Sequence, residues 1–196
     1  IAAGSLYLIS DRRDLLQDEK SVESYASREF GFVVNNLIFV GLSFAVFWGT
    51  VFPLVSRFFG VEVTVAAPYF NRITAPLFIV LIILMGLVPL LGWRRSSWKA
   101  VGTQVMIPVA LAAVSCAILY AGGVRELGFL LAVAGAIVVV AAIGVEITQA
   151  VAARLKFTND PPLLALPRLI ARNPRRYGGY IVHIGIVIIA VGIAAY

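Results

Sequence analysis

Four stretches of this chain, roughly residues 30–56, 72–93, 101–121 and 127–152, are each long and apolar enough to cross a lipid bilayer. A spanning helix needs about 20 such residues. A fifth stretch begins near residue 179 and is still apolar at Tyr196, and residues 1–9 read as the last turns of another helix. Lipid offers no partner to a backbone N–H or C=O, so only helices and closed barrels span it. Segments of this length select helices. The expected fold is therefore all-α: a polytopic transmembrane helix bundle with about four complete spans and two truncated ones. The composition agrees, at 61% hydrophobic and 13% charged, against roughly half and a quarter in soluble domains. The chain opens without Met and both ends lie in apolar sequence. It is read as a single membrane-embedded segment, 1–196, of a larger protein.

Ser27-Arg28-Glu29 opens the first full span, and Asn71 is the expected N-cap of the second. Pro53, Pro76, Pro89 and Pro108 fall in or near spans, where membrane helices tolerate them. Basic residues set the orientation. With loops at about 10–29, 94–100 and 153–178 cytoplasmic, thirteen Lys and Arg lie inside. Three, Arg57, Arg72 and Arg125, fall outside with the loops at about 57–71 and 122–126. Trp93 and Trp98 flank Arg94-Arg95 as interfacial anchors. This bias accounts for the net charge of +6 without a nucleic-acid partner; membrane lipid is the expected contact.

The chain has one cysteine and one histidine. These counts exclude an internal disulfide framework, a multi-cysteine metal site and a two-histidine site within the chain. Cys116 lies in an apolar run and reads as a packed small residue. No Gly-rich phosphate loop or Ser-His-Asp set is visible, and no catalytic residue is expected within the segment.

His183 stands in the apolar sequence of the last span, near its basic end. An ionisable group at lipid depth is costly and commonly marks a functional site. Helical spacing puts Arg176, Gly179, Tyr180, Val187, Ala190 and Ala194 on or near its face. Gly179 and Val187, one turn below and above, leave room for a flat macrocycle. Arg176 lies roughly 10 Å along the axis, placed to meet an acidic group at the membrane surface. The alternative is a neutral histidine bonded to a neighbouring helix, and spacing leaves both open.

Other features have their own pairs of readings. Asn35 and Asn36 point about 100° apart on one helix, so that one faces a partner helix and the other a polar cavity. Glu146 shares a face with Gln149 and lies two turns from Arg154, its expected partner unless it serves a proton or quinol site. Gly178, Gly185 and Gly192 recur every seven residues on a face largely opposite His183 and suit close helix packing. Residues 163–172 (LLALPRLIAR) either lie in the membrane interface or pack their leucines under the bundle. The outer loop 61–72 (VEVTVAAPYFNR) begins as a strand or extended segment and reads as a structural anchor, with contact to an external partner as the alternative.

In order, SREFGFVVNNLIFV (27–40), FWGTVFPLV (47–55), VTVAAPYFNRITAPL (63–77), LMGLVPLLGWRR (84–95) and RRYGGYIVHIGIVIIAVGIA (175–194) resemble the CcmF family of cytochrome c-type biogenesis proteins. CcmF is the large subunit of a bacterial cytochrome c heme lyase. One departure is Ala67, where family members often carry a first proline before Pro-Tyr-Phe-Asn. The resemblance implies a multi-pass protein of the bacterial inner membrane that binds a b-type heme through two histidines on different helices. His183 matches the second of these, and the other would lie upstream of Ile1. Arg176 would then face a heme propionate, and Gly179 and Val187 would flank the ring. A tryptophan-rich outer segment with histidines, characteristic of the family, is not in this sequence. The heme chaperone and apocytochrome c would be met through other parts of the protein, beside other maturation subunits, with quinol as an electron source. The whole would support covalent attachment of heme to apocytochrome c, and this segment alone would not catalyse it. Two other readings remain: a heme or small-solute transporter with discontinuous helices, and a respiratory subunit linking b-heme to quinone.

Overall fold

A computed structural model describes residues 2–13, 25, 27–91, 98–158 and 161–196, without the side chains of 2, 98–101, 162 and 163. The chain is all-α, with no strand among the described residues. Its elements are α1 (Ala2–Asp11), α2 (Arg28–Phe58), α3 (Ala67–Leu87) continuing into a 3-10 turn (Val88–Leu90), α4 (Trp98–Ala121), α5 (Leu127–Phe157), α6 (Pro162–Arg172) and α7 (Pro174–Ala194). Five of the described helices are long and apolar enough to cross a membrane. This is a membrane protein by length and hydropathy.

Several helix ends differ from expectation for local reasons. Ser27 caps α2 as expected, its hydroxyl accepting the Phe30 N–H at 3.2 Å. Asn71 is not a cap. Pro68, in the first turn of α3, starts the helix earlier, with Ala66 as N-cap. Proline is pre-set for that position, where its missing N–H costs nothing. Pro174 does the same for α7 and draws Arg175 and Arg176 out of the expected loop into the first turns of the helix. Helix α5 runs to Phe157. Trp93, Arg94, Arg95, the side chain of Trp98 and most of the 10–29 loop lie outside the described residues.

Helix α5 is the hub, packed against α3, α4, α6 and α7, while α2 packs on α3 and its 3-10 turn. Van der Waals packing must hold such a bundle, because lipid removes the hydrophobic drive between helices. Small residues permit the close approach. A Cβ on Gly86 would stand 3.0 Å from Val139 Cα, and one on Gly135 would stand 2.8 Å from Ile82 Cγ2. Around these contacts Ile82, Val139, Ile143, Tyr177, Tyr180 and Val187 form the buried core. Leu166 and Leu169 of α6 pack against this cluster and Ala165 is fully buried, so 163–172 joins the bundle through one face while Arg168 and Arg172 stay exposed.

At the other end of α2, residues 61–66 have no regular structure. Tyr69 and Phe70 then dock on Gly49, where a Cβ would lie 2.6 Å from Tyr69 Cε1. The Tyr69 hydroxyl donates to the Ala45 carbonyl at 3.2 Å. These contacts anchor the outer loop. Cys116 is half-buried, its thiol donating to the Leu130 carbonyl at 3.4 Å.

Candidate functional site

His183 lines a cavity of about 620 Å³ bounded by α2, by α3 with its 3-10 turn, and by α7. That volume lies within the roughly 300–1,000 Å³ usual for small-molecule sites. The walls are mostly apolar: Phe32 and Phe39 from α2, Phe78 and Leu81 from α3, and Val88 from the turn. Among the described residues, three polar ones line it: Arg28 and Asn35 from α2 and His183 from α7.

The rotation of α7 explains why His183 faces this space. At about 100° per residue, Tyr180 and Val187 lie to one side of His183, and Val182 and Ile186 to the other. Tyr180 and Val187 are buried in the core at 7% and 2% exposure. Val182 and Ile186 line the cavity. His183 thus stands on the seam between the packed face and the cavity face. Val187, expected beside a ligand, instead packs in the core. Gly179 is half-buried with nothing within 4 Å of a Cβ position, and it is not among the cavity-lining residues.

Two side-chain nitrogens among the described residues are buried without a hydrogen-bond partner, His183 Nδ1 and Arg28 Nε. Both residues line this one cavity. Buried polar atoms are normally satisfied, so each exception calls for a reason. The Arg28 guanidinium is otherwise held by the Pro89 carbonyl, to which its Nη2 donates.

Arg176 is engaged elsewhere. Its Nη2 donates to Glu146 Oε1, and its Nε donates to the Tyr180 hydroxyl at 2.8 Å. The Tyr180 hydroxyl in turn donates to Glu146 Oε2. This closed triangle links the first turns of α7 to α5 and gives the half-buried Glu146 its partners. Spacing within one helix points to Arg154, whereas Arg176 comes from 30 residues away on another helix. Gln149 is exposed. Asn35 and Asn36 diverge as their spacing requires, but Asn35 lines a mostly apolar cavity and Asn36 is exposed rather than set against a partner helix as expected. Gly178, Gly185 and Gly192 have nothing within 4 Å of their Cβ positions, so the close packing expected on that face is not made by the described residues.

Among the described residues no group of three or more His, Cys, Asp or Glu side chains converges. An iron held by a porphyrin needs only axial ligands from protein. One unpartnered imidazole on an apolar cavity fits that donor set, and hence a heme, as well as one histidine can.

Over 110 residues, 56% of this chain, the sequence is 31% identical to the cytochrome c-type biogenesis protein CcmF of Haemophilus influenzae. The chain resembles the CcmF-type cytochrome c biogenesis proteins. It is also 36% identical over 95 residues to the cytochrome c-type biogenesis protein CycK of Rhizobium meliloti, and 27% identical over 108 residues to Escherichia coli CcmF. The matched stretches span 17%, 14% and 16% of these CcmF-type relatives, a small part of each. No family model matches the chain, and no solved structure does.

Proposed function

We propose that this chain is the membrane segment of a CcmF-like protein in bacterial cytochrome c maturation, and that His183 is an axial ligand to a b-type heme seated in the cavity between α2, α3 and α7. The observation that carries this reading is that His183, whose buried Nδ1 has no hydrogen-bond partner, lines an apolar cavity. The alternative of a structural histidine calls for a bond to a neighbouring helix, and the buried Nδ1 makes none. A transporter with discontinuous helices fits less well, because α7 runs unbroken from Pro174 to Ala194.

Bound there, heme supplies a one-electron redox couple inside the membrane. The residues of this chain do the rest. His183 gives one ligand, and the aromatic rings of Phe32, Phe39 and Phe78 provide a dry wall that excludes water from the ring. The other axial ligand, the heme chaperone, apocytochrome c and any quinol donor are assigned to the rest of the protein and its complex, in the bacterial inner membrane. Covalent attachment of heme to apocytochrome c belongs to that whole.

The test is a reduced-minus-oxidised absorption spectrum of the full-length protein beside its His183→Ala variant. Loss of the b-type signal is the expected result. An unchanged signal at full heme occupancy would remove the ligand assignment.

A further inference from the structure

Two buried side-chain nitrogens among the described residues lack partners, and His183 accounts for one. The other is Arg28 Nε, and it too belongs to a cavity-lining residue. A guanidinium keeps its charge at any pH a protein meets. Burying part of it without an anion is expensive. The Pro89 carbonyl is a neutral acceptor; it fixes the position of the group through Nη2 without balancing the charge. What remains is a held cation with a spare N–H, at the start of α2, where the helix dipole adds positive potential.

The same face of α2 continues along the cavity through Gly31, Phe32, Asn35 and Phe39. Asn35 lies seven residues on, about 10 Å along the axis. Across the space stands His183. The cavity is therefore charged at one end and aromatic along its length, with a ligating imidazole on the facing wall. A ligand that satisfies all three is flat, apolar over most of its area and anionic at one edge. Arg176, the arginine that helical spacing favours for the anion, already gives its Nε and Nη2 to Tyr180 and Glu146.

We propose that Arg28 is the anchor for a carboxylate of the ligand that His183 binds; resting on the heme reading above, that group is a heme propionate. Arginine suits this task because its charge is permanent and, beside the Nη2 given to Pro89, it carries further N–H donors for a carboxylate. Gly31 and Val88 close the cavity beside this end, so that the anionic edge of the ligand would sit against the 3-10 turn.

The experiment uses the full-length protein freed of heme and titrated with heme or with heme dimethyl ester, whose propionates are capped. In the wild type, capping should weaken binding about ten-fold, the worth of one charge-assisted hydrogen bond. Arg28→Gln should weaken heme binding by a similar factor and leave ester binding within about two-fold of the wild type. Intact ester binding also shows that the variant folds. Equal affinity of wild type and Arg28→Gln for heme overturns the proposal, as does an equal loss of both ligands. So does an Arg176→Gln variant that loses the distinction between heme and ester while Arg28→Gln keeps it. His183→Ala run beside them separates the two ideas. If His183→Ala leaves heme binding intact, the axial-ligand reading fails, while the heme-to-ester comparison still reports on Arg28.

Discussion

Val88 fills the space in front of Gly31: a Cβ on this glycine would lie 2.6 Å from Val88 Cγ2. The contact brings the start of α2 against the 3-10 turn and lets Arg28 reach the Pro89 carbonyl. Gly31→Ala must push Val88 aside at the wall of the cavity. A stability loss of about 1–3 kcal/mol is expected from such overpacking, together with, on the proposed heme reading, a fall in heme content of the purified protein. Thermal unfolding in detergent and the b-type absorption measure the two. Normal heme content in a stable variant would show that the turn can shift without touching the site.

The contact of Gly86 with Val139 is different in kind, because its nearest atom is backbone, the Val139 Cα at 3.0 Å. Backbone cannot rotate away, so Gly86→Ala must separate α3 from α5. It should cost about 1–3 kcal/mol. Gly144→Ala, on the same α5 but with nothing within 4 Å, should be neutral or stabilising by up to about 1 kcal/mol through helix propensity. Paired unfolding curves check the contrast; equal effects would mean that α3 and α5 are not in close contact.

The Arg176–Glu146–Tyr180 triangle predicts coupling. Arg176→Leu leaves Glu146 with Tyr180 alone. With the arginine side chain 49% exposed and the glutamate 11%, solvent screening limits the cost to about 1 kcal/mol. Tyr180→Phe should cost about 1 kcal/mol for its lost hydrogen bonds. Because the three groups share contacts, the double variant should lose less than the sum of the two. Strict additivity in a double-mutant cycle would argue that the triangle is not formed in the membrane.

Tyr69→Phe keeps the ring on Gly49 and removes the hydroxyl that donates to Ala45. A drop of about 1 kcal/mol in stability, with cytochrome c maturation unimpaired in cells, is the outcome expected of an anchor. Unchanged stability with lost maturation would instead assign Tyr69 to an external partner.

The spans were legible because lipid leaves a chain few choices, and the Ser27 cap because its chemistry is local. The start of α3 lies ahead of the expected Asn71 because Pro68, a few residues earlier, is a stronger initiator. The site was legible in part. His183 stands out by its cost, yet its neighbours could not be chosen from spacing. A helix that is apolar all round carries no hydrophobic code for which side meets protein, so spacing points to Val187, which packs in the core, while Ile186 lines the cavity. Arg28 was absorbed into the basic residues of the inner surface. Nothing local distinguishes it from a snorkelling side chain; among the described residues the Pro89 carbonyl, 61 residues away, holds it at the cavity.

Helix α7 bears its imidazole on the seam between two faces, one of them fixed by Tyr177, Tyr180 and Val187 in the core. No hydrogen bond at Nδ1 steers the ring. Its aim is set by the rest of the helix, much as the bit of a key is aimed by the grip on its shaft. Changes on α5 that never touch the cavity, at Val139 or Ile143, should then register as altered ligand geometry at His183. With the proposed heme bound, electron paramagnetic resonance of its oxidised form would detect that torsion in protein of unchanged heme content.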